Sequence, residues 1–180
     1  MKNKFILGLL LPLIILLGMT ARPLATLVWG TEINIQTSPV DPTDLFRGDY
    51  VTLRYPINEL PLRYFPELQG KVDYQVEQKY YNKEIFVQLK PAGKLYEVSE
   101  VSFTKPSSGV YLTGKIVGIY DSPVMEQQEQ TQRTVAVDYS LDKYFVPENS
   151  GGQLEEKARQ GQLIATVKVW QGYALLVGIE

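Results

Sequence analysis

The stretch LIATVKVWQGYALLVGI, residues 163–179, holds two apolar-rich runs joined at Gln171-Gly172. A two-residue, glycine-containing joint between such runs predicts a β-hairpin, and the apolar content of both arms predicts a central one. The same reading extends outward. Ile33 and Ile35 alternate with Asn34 and Gln36 in 31–37; Val51, Leu53 and Tyr55 alternate with Tyr50, Thr52 and Arg54; Val72, Tyr74 and Val76 alternate with Asp73, Gln75 and Glu77. A period of two residues is that of a half-buried strand. Ile85, Val87 and Leu89 continue it across Asn82-Lys83, which predicts a hairpin between the 72–76 and 85–89 strands. Residues 95–103 read as a weaker strand between two turn-type clusters, 91–93 and 106–109.

The longest strand is expected at 110–120, with Val110, Leu112, Ile116 and Tyr120 on one face. Gly114 and Gly118 fall on that face and imply a bend or a close backbone approach. Residues 126–132 (EQQEQTQ) read as a solvated loop, and 133–139 as a further strand. The period changes only at 153–160 (QLEEKARQ), where Leu154 and Ala158 share a helical face, Glu155 and Arg159 are spaced to pair, and Gly161 can stop the helix. The predicted fold is mainly β: an antiparallel barrel or sandwich of about eight strands with one short helix in the C-terminal region.

An N-terminal transmembrane helix is expected ahead of this body. From Phe5 to Ala21 the chain reads FILGLLLPLIILLGMTA without a charge, after Lys2 and Lys4 and before Arg22. Seventeen residues at about 1.5 Å each cover roughly 25 Å, and residues 24–29 can extend the run. Cleavage after Ala21 puts Met19 at the third position before the cut, and cleavage after Ala25 puts Pro23 there; neither is a small-x-small site. The reading is an uncleaved signal anchor spanning 5–29, with the lysine-bearing end in the cytoplasm and the body outside the cell membrane. Trp29 is placed as an interfacial aromatic. The chain thus divides into an anchor, 1–29, and an extracytoplasmic domain, 30–180.

All 180 residues lack histidine and cysteine. That excludes thiol nucleophiles, histidine bases, disulfides and His/Cys zinc centres. Residues 31–180 carry 15 basic and 20 acidic side chains, a formal charge of −5. Such a body offers phosphate backbones little to hold, so no nucleic-acid partner is expected. No cofactor and no metal are expected either.

The densest polar segment is PVDPTDLFRGDYVTLRY, 39–55. Asp41 before Pro42 resembles an N-cap, Asp44 sits where a capping-box acid reaches back, and Gly48 can end the turn before Asp49 leads into a strand. The functional alternative gathers Asp41, Asp44 and Asp49 about Arg47, with Glu148 as the one distant carboxylate to join them. No EF-hand spacing is present, and the Arg47-Gly48-Asp49 tripeptide is too short to carry an argument.

Gly48-Asp49-Tyr50-Val51-Thr52-Leu53-Arg54-Tyr55 fills every fixed position of the signature that names the GDYXXLXY family, and the chain resembles that family. The run 39–47 and the later Tyr144-Phe145-Val146-Pro147-Glu148 are similar to it as well. The resemblance implies a bacterial, membrane-anchored domain encoded beside polytopic membrane proteins, with such a protein as the expected partner. It supplies no reaction. It does draw attention to Tyr50, Tyr55 and Glu148 beside the aspartates as binding residues.

A fainter similarity links Pro42-Thr43 and Gly48-Asp49-Tyr50-Val51 to the β-rich, membrane-anchored signal peptidases. Pro39 stands where those enzymes carry their serine, and Ser38 is one position off. Lys71 and Lys115 are arbitrary choices of base. The function expected is a non-catalytic binding or assembly module; the alternative is a membrane-anchored hydrolase, either Ser/Lys or carboxylate and metal dependent. In the proline-punctuated stretch 56–66, Tyr64 and Phe65 are expected on a loop that displays apolar groups to a partner.

Overall fold

A computed structural model of the chain describes residues 2–38, 50–68, 74–123, 131–145, 157, 160 and 162–180. In chain order the named elements are α1 (Lys2–Trp29), β1 (Thr31–Gln36), β2 (Tyr50–Thr52), β3 (Glu59–Pro61), α2 (Tyr74–Tyr80), β4 (Glu84–Ala92), β5 (Leu95–Ser102), β6 (Val110–Pro123), β7 (Thr131–Asp138), β8 (Lys143–Phe145), β9 (Ile164–Trp170) and β10 (Tyr173–Ile179).

The fold is mainly β, in antiparallel sheets. The hairpin at 163–179 forms as read. Gln171 and Gly172 both take positive φ, 49° and 80°, the mirror-image turn whose twist suits a hairpin, and Tyr173 closes opposite Trp170. β9 is the centre of a three-stranded sheet, β1-β9-β10, and a five-stranded sheet runs β3-β7-β6-β4-β5. Ile33 and Ile35 of β1 and Ala165, Val167 and Val169 of β9 share one buried core with Ile85, Val87, Leu112, Val135 and Val137 of the larger sheet. The turn of the β9–β10 hairpin also binds the larger sheet directly, through the Thr113 N–H donating to Gly172 O at 2.9 Å. A Cβ on Gly172 would overlap the Thr113 hydroxyl and the Tyr111 ring, so glycine is required there for space as well as for φ.

Both roles foreseen for the β6 glycines are realised, at different positions. Gly114 is a close approach, because a Cβ there would overlap Val137 Cγ1 and the Tyr139 ring. Gly118 lies at a β-bulge, where the register against β7 shifts between Ile116 and Gly118. The bulge corrects the expected face of β6. Beyond it Ile119 turns inward and Tyr120 is 43% exposed, so Tyr120 does not join Leu112 and Ile116 in the core.

Residues 74–80 form helix α2, not a strand. The 72–76 alternation carries a second pattern: Val76 and Tyr80 are spaced i, i+4, and between them stand Glu77, Gln78 and Lys79, all good helix formers. Val76 packs on the core and Tyr80 is buried. The expected hairpin across Asn82-Lys83 is therefore absent. Asn82 ends the helix instead, at φ 63°, donating its N–H to Ile116 O at 2.8 Å. β4 takes β5 and β6 as partners, and its Pro91 lies beyond Leu89, past the last residue that pairs with β6. The predicted helix at 153–160 falls almost wholly outside the described residues.

The proline-rich stretch 56–66 buries what it was expected to display. It folds as 3₁₀ turns at 56–58, 62–64 and 66–68 around β3, with Ile57, Leu60, Phe65 and Leu68 in the core. Pro56 and Pro66 each begin such a turn, where a missing N–H costs nothing.

α1 is continuous over 28 residues, about 42 Å, and contains Pro12 and Pro23. Leu10, Leu11, Leu13, Ile14, Ile15, Leu16 and Leu17 are exposed around the helix, which is long and apolar enough to cross a membrane. Among the described residues only its last turns are packed. Ala25 and Thr26 are buried, Trp29 lies 6.0 Å from Trp170, and Lys168 Nζ donates to Leu27 O at 2.8 Å. Gly30 alone separates α1 from β1.

Candidate functional site

The signature strand enters the body at β2. Tyr50, Val51 and Thr52 pair with Phe145, Tyr144 and Lys143 of β8. The two segments that carried the family resemblance are thus neighbours in one two-stranded sheet. The chain enters β2 at the end of the ladder from which it leaves β8. Asp41, Asp44, Arg47, Asp49 and Glu148 lie outside the described residues, as does the Tyr50 side chain.

Beyond β2 the signature turns inward. Leu53 and Tyr55 are each 2% exposed, and Arg54, the variable position between them, is exposed. The backbone of this stretch is held on both sides: Leu53 N–H donates to Asp142 O at 2.8 Å, and Ser38 N–H to Arg54 O at 2.7 Å. Tyr55 then caps the first 3₁₀ turn, with its own N–H donating to Asn58 Oδ1 at 2.9 Å and Asn58 N–H donating to Tyr55 O at 2.9 Å.

Two buried tyrosines cross-stitch this turn to the segment after β7. Tyr55 Oη donates to Leu141 O, and Tyr139 Oη donates to Ile57 O, each at 3.0 Å. Asn58 Nδ2 adds a bond to Val137 O at 2.8 Å. Each hydroxyl satisfies a carbonyl that the irregular backbone leaves without a ladder partner. Burial, and secondarily the negative charge of Asp142, pushes the Tyr55 hydroxyl well above the ordinary tyrosine range; burial does the same to Tyr139. Both therefore stay neutral donors, with their protons committed to carbonyl oxygens. This part of the signature is a structural lock.

Sequence reasoning singled out Tyr55 and missed Asn58, Tyr139 and Leu141. Asn58 left a readable trace as an amide three residues after Tyr55, at the end of a turn opened by proline. Tyr139 and Leu141 left none, because their role is set by a contact across some eighty residues, 82 for Tyr139 with Ile57 and 86 for Tyr55 with Leu141.

Of the two residues expected at an interface, Phe65 is 1% exposed and packs 6.3 Å from Phe103, which corrects its placement on a displayed loop. Tyr64 is half-buried and lines a cavity of about 290 Å³ with Pro61, Leu95 and Tyr96 among its walls, under the Arg63 guanidinium at 5.4 Å. Among the described residues no group of three or more acidic side chains is placed to hold a metal ion.

A β domain joined through Gly30 to a helix long and apolar enough to cross a membrane fits a membrane-anchored domain. The model of the GDYXXLXY protein family matches residues 12–179, nearly the whole chain, and the protein belongs to that family. No curated protein and no solved structure matches the chain.

Proposed function

We propose that the protein is a bacterial, single-pass, extracytoplasmic module that binds or assembles with a polytopic membrane protein, and that it is not an enzyme. The observation that carries this reading is the join between anchor and body. Ala25 and Thr26 are buried against the domain and one residue separates helix from sheet, so the body is held at a fixed attitude to the membrane. Confinement and fixed orientation raise the effective concentration of a surface toward a membrane partner, so a weak interface suffices. Lys2 and Lys4 keep the N-terminus cytoplasmic by the positive-inside bias, and the body is exported. The partner-facing surface is the Tyr64 cavity, walled by Pro61, Leu95 and Tyr96.

Co-purification in mild detergent with crosslinking from position 64 tests the reading: a stoichiometric polytopic membrane protein is expected, and recovery solely as an uncrosslinked monomer contradicts it. The chain has no cysteine, so a single Ser107→Cys on the exposed 104–109 loop gives a clean topology probe. An impermeant maleimide applied to whole cells labels it if the body is outside; labelling only after lysis contradicts export. Asp49→Asn separates the two roles read for the signature acids. A less stable chain that still binds its partner marks a turn former, and a stable chain that no longer binds marks a contact.

A further inference from the structure

α1 also forms one wall of a polar cavity of about 340 Å³, near the small end of the range of ligand sites. Arg22 of α1 faces Gln171, Gly172 and Tyr173 of the β9–β10 hairpin there, and Glu84, Lys105, Thr113 and Ser140 complete its polar lining. From Arg22 to Trp29 α1 packs on the body, so the hydrocarbon span ends at the uncharged run 5–21 and does not reach Trp29; Arg22, the first charge after that run, then sits where hydrocarbon gives way to headgroups. Its guanidinium sits 5.0 Å from the Tyr173 ring, so the cation is held at the cavity wall. The cavity mouth thus lies at headgroup level.

We infer that this cavity binds a phosphate ester, presented as the headgroup of an anionic glycerophospholipid. Arg22 and Lys105 supply two positive charges and Glu84 one negative, a net +1 that matches a phosphodiester of charge −1. Thr113 and Ser140 hydroxyls, the Gln171 amide and the Glu84 carboxylate suit the hydroxyl groups of a glycerol-type headgroup. The Tyr139 ring is a wall only, since its hydroxyl is bonded to Ile57 O. The size admits a headgroup and leaves the acyl chains in the bilayer beside α1.

The inference rests on α1 staying in the membrane. The experiment is native mass spectrometry of the full-length protein in detergent micelles with equal amounts of phosphatidylglycerol and phosphatidylcholine. Retention of phosphatidylglycerol over phosphatidylcholine is expected, with about a fivefold loss of that preference for Arg22→Gln and again for Lys105→Gln. Lys168→Gln, a cation on the same side of the body but outside the cavity, should keep it. Equal retention of the two lipids, or an equal loss in all three variants, overturns the proposal. A parallel arm adds glycerol 3-phosphate: binding that needs Arg22 and Lys105 while lipid selectivity is absent overturns the lipid assignment and gives the site to a soluble phosphate ester. A mature chain that begins after Arg22 overturns the anchor reading and this one together, whereas an intact chain without selectivity overturns this one alone.

Discussion

Tyr139 belongs to two regions of opposite character. Its hydroxyl closes the lock between the signature turn and the segment after β7, where buried donors meet carbonyls at 2.8–3.0 Å. Its ring walls the cavity beside α1, where Arg22, Glu84 and Lys105 are exposed. The lock spends its polar groups on itself and fixes the chain; the cavity leaves its polar groups available. The difference separates two meanings of a polar cluster, and substitutions on the two sides should part cleanly.

The largest effect is expected in the lock. Tyr55→Ala removes a buried ring and strands the Leu141 carbonyl, and should cost about 3–5 kcal/mol in denaturant unfolding, enough to prevent folding of a marginal domain. Gly114→Ala forces a methyl group into Val137 and Tyr139 and should cost about 1–3 kcal/mol. Tyr139→Phe keeps the ring and orphans the Ile57 carbonyl, for about 1–2 kcal/mol.

Alkaline titration sharpens the same contrast. Both lock tyrosines have native pKa values raised above that of the unfolded chain. Their contribution is fully present below about pH 10, where folded and unfolded chains are both protonated. Above it the unfolded chain loses protons that the native state keeps, so stability falls as pH rises, by about 1.4 kcal/mol per pH unit for each tyrosine. Tyr55→Phe and Tyr139→Phe should each flatten that slope, measured as the unfolding midpoint between about pH 9 and 12. The smallest effect is expected on the cavity side, where Arg22→Gln and Lys105→Gln should change stability by no more than about 0.5 kcal/mol while changing lipid retention.

Strands paired along nearly their whole length were legible in the sequence, because one buried face enforces the alternation from end to end: 31–36, 84–92 and the 163–179 hairpin fall where the pattern puts them. Three-residue strands such as β3 and β8 are too short for a period to register, and both exist because distant chain pairs with them. Residues 72–80 fit both periods, and the burial of Tyr80 against Phe103, 5.5 Å away, favours the helix. The bulge at Gly118 was foreseen as a bend, but its effect on Tyr120 depends on where the register slips against β7. At the signature, Leu53 and Tyr55 were readable as an inward face, whereas the lock depends on Tyr139 reaching Ile57 O and Asn58 reaching Val137 O, partners some eighty residues away. Prolines misled at 56–66, since proline opens a buried 3₁₀ turn as readily as it ends an element.

The central claim is that α1 persists as a membrane anchor fused to the domain. Intact mass measurement of the mature protein, taken from membranes washed at alkaline pH, tests it most directly. A chain retaining residues 5–29 in the washed membrane fraction is predicted; a mature chain that starts beyond Ala21 and is released by the wash would contradict it.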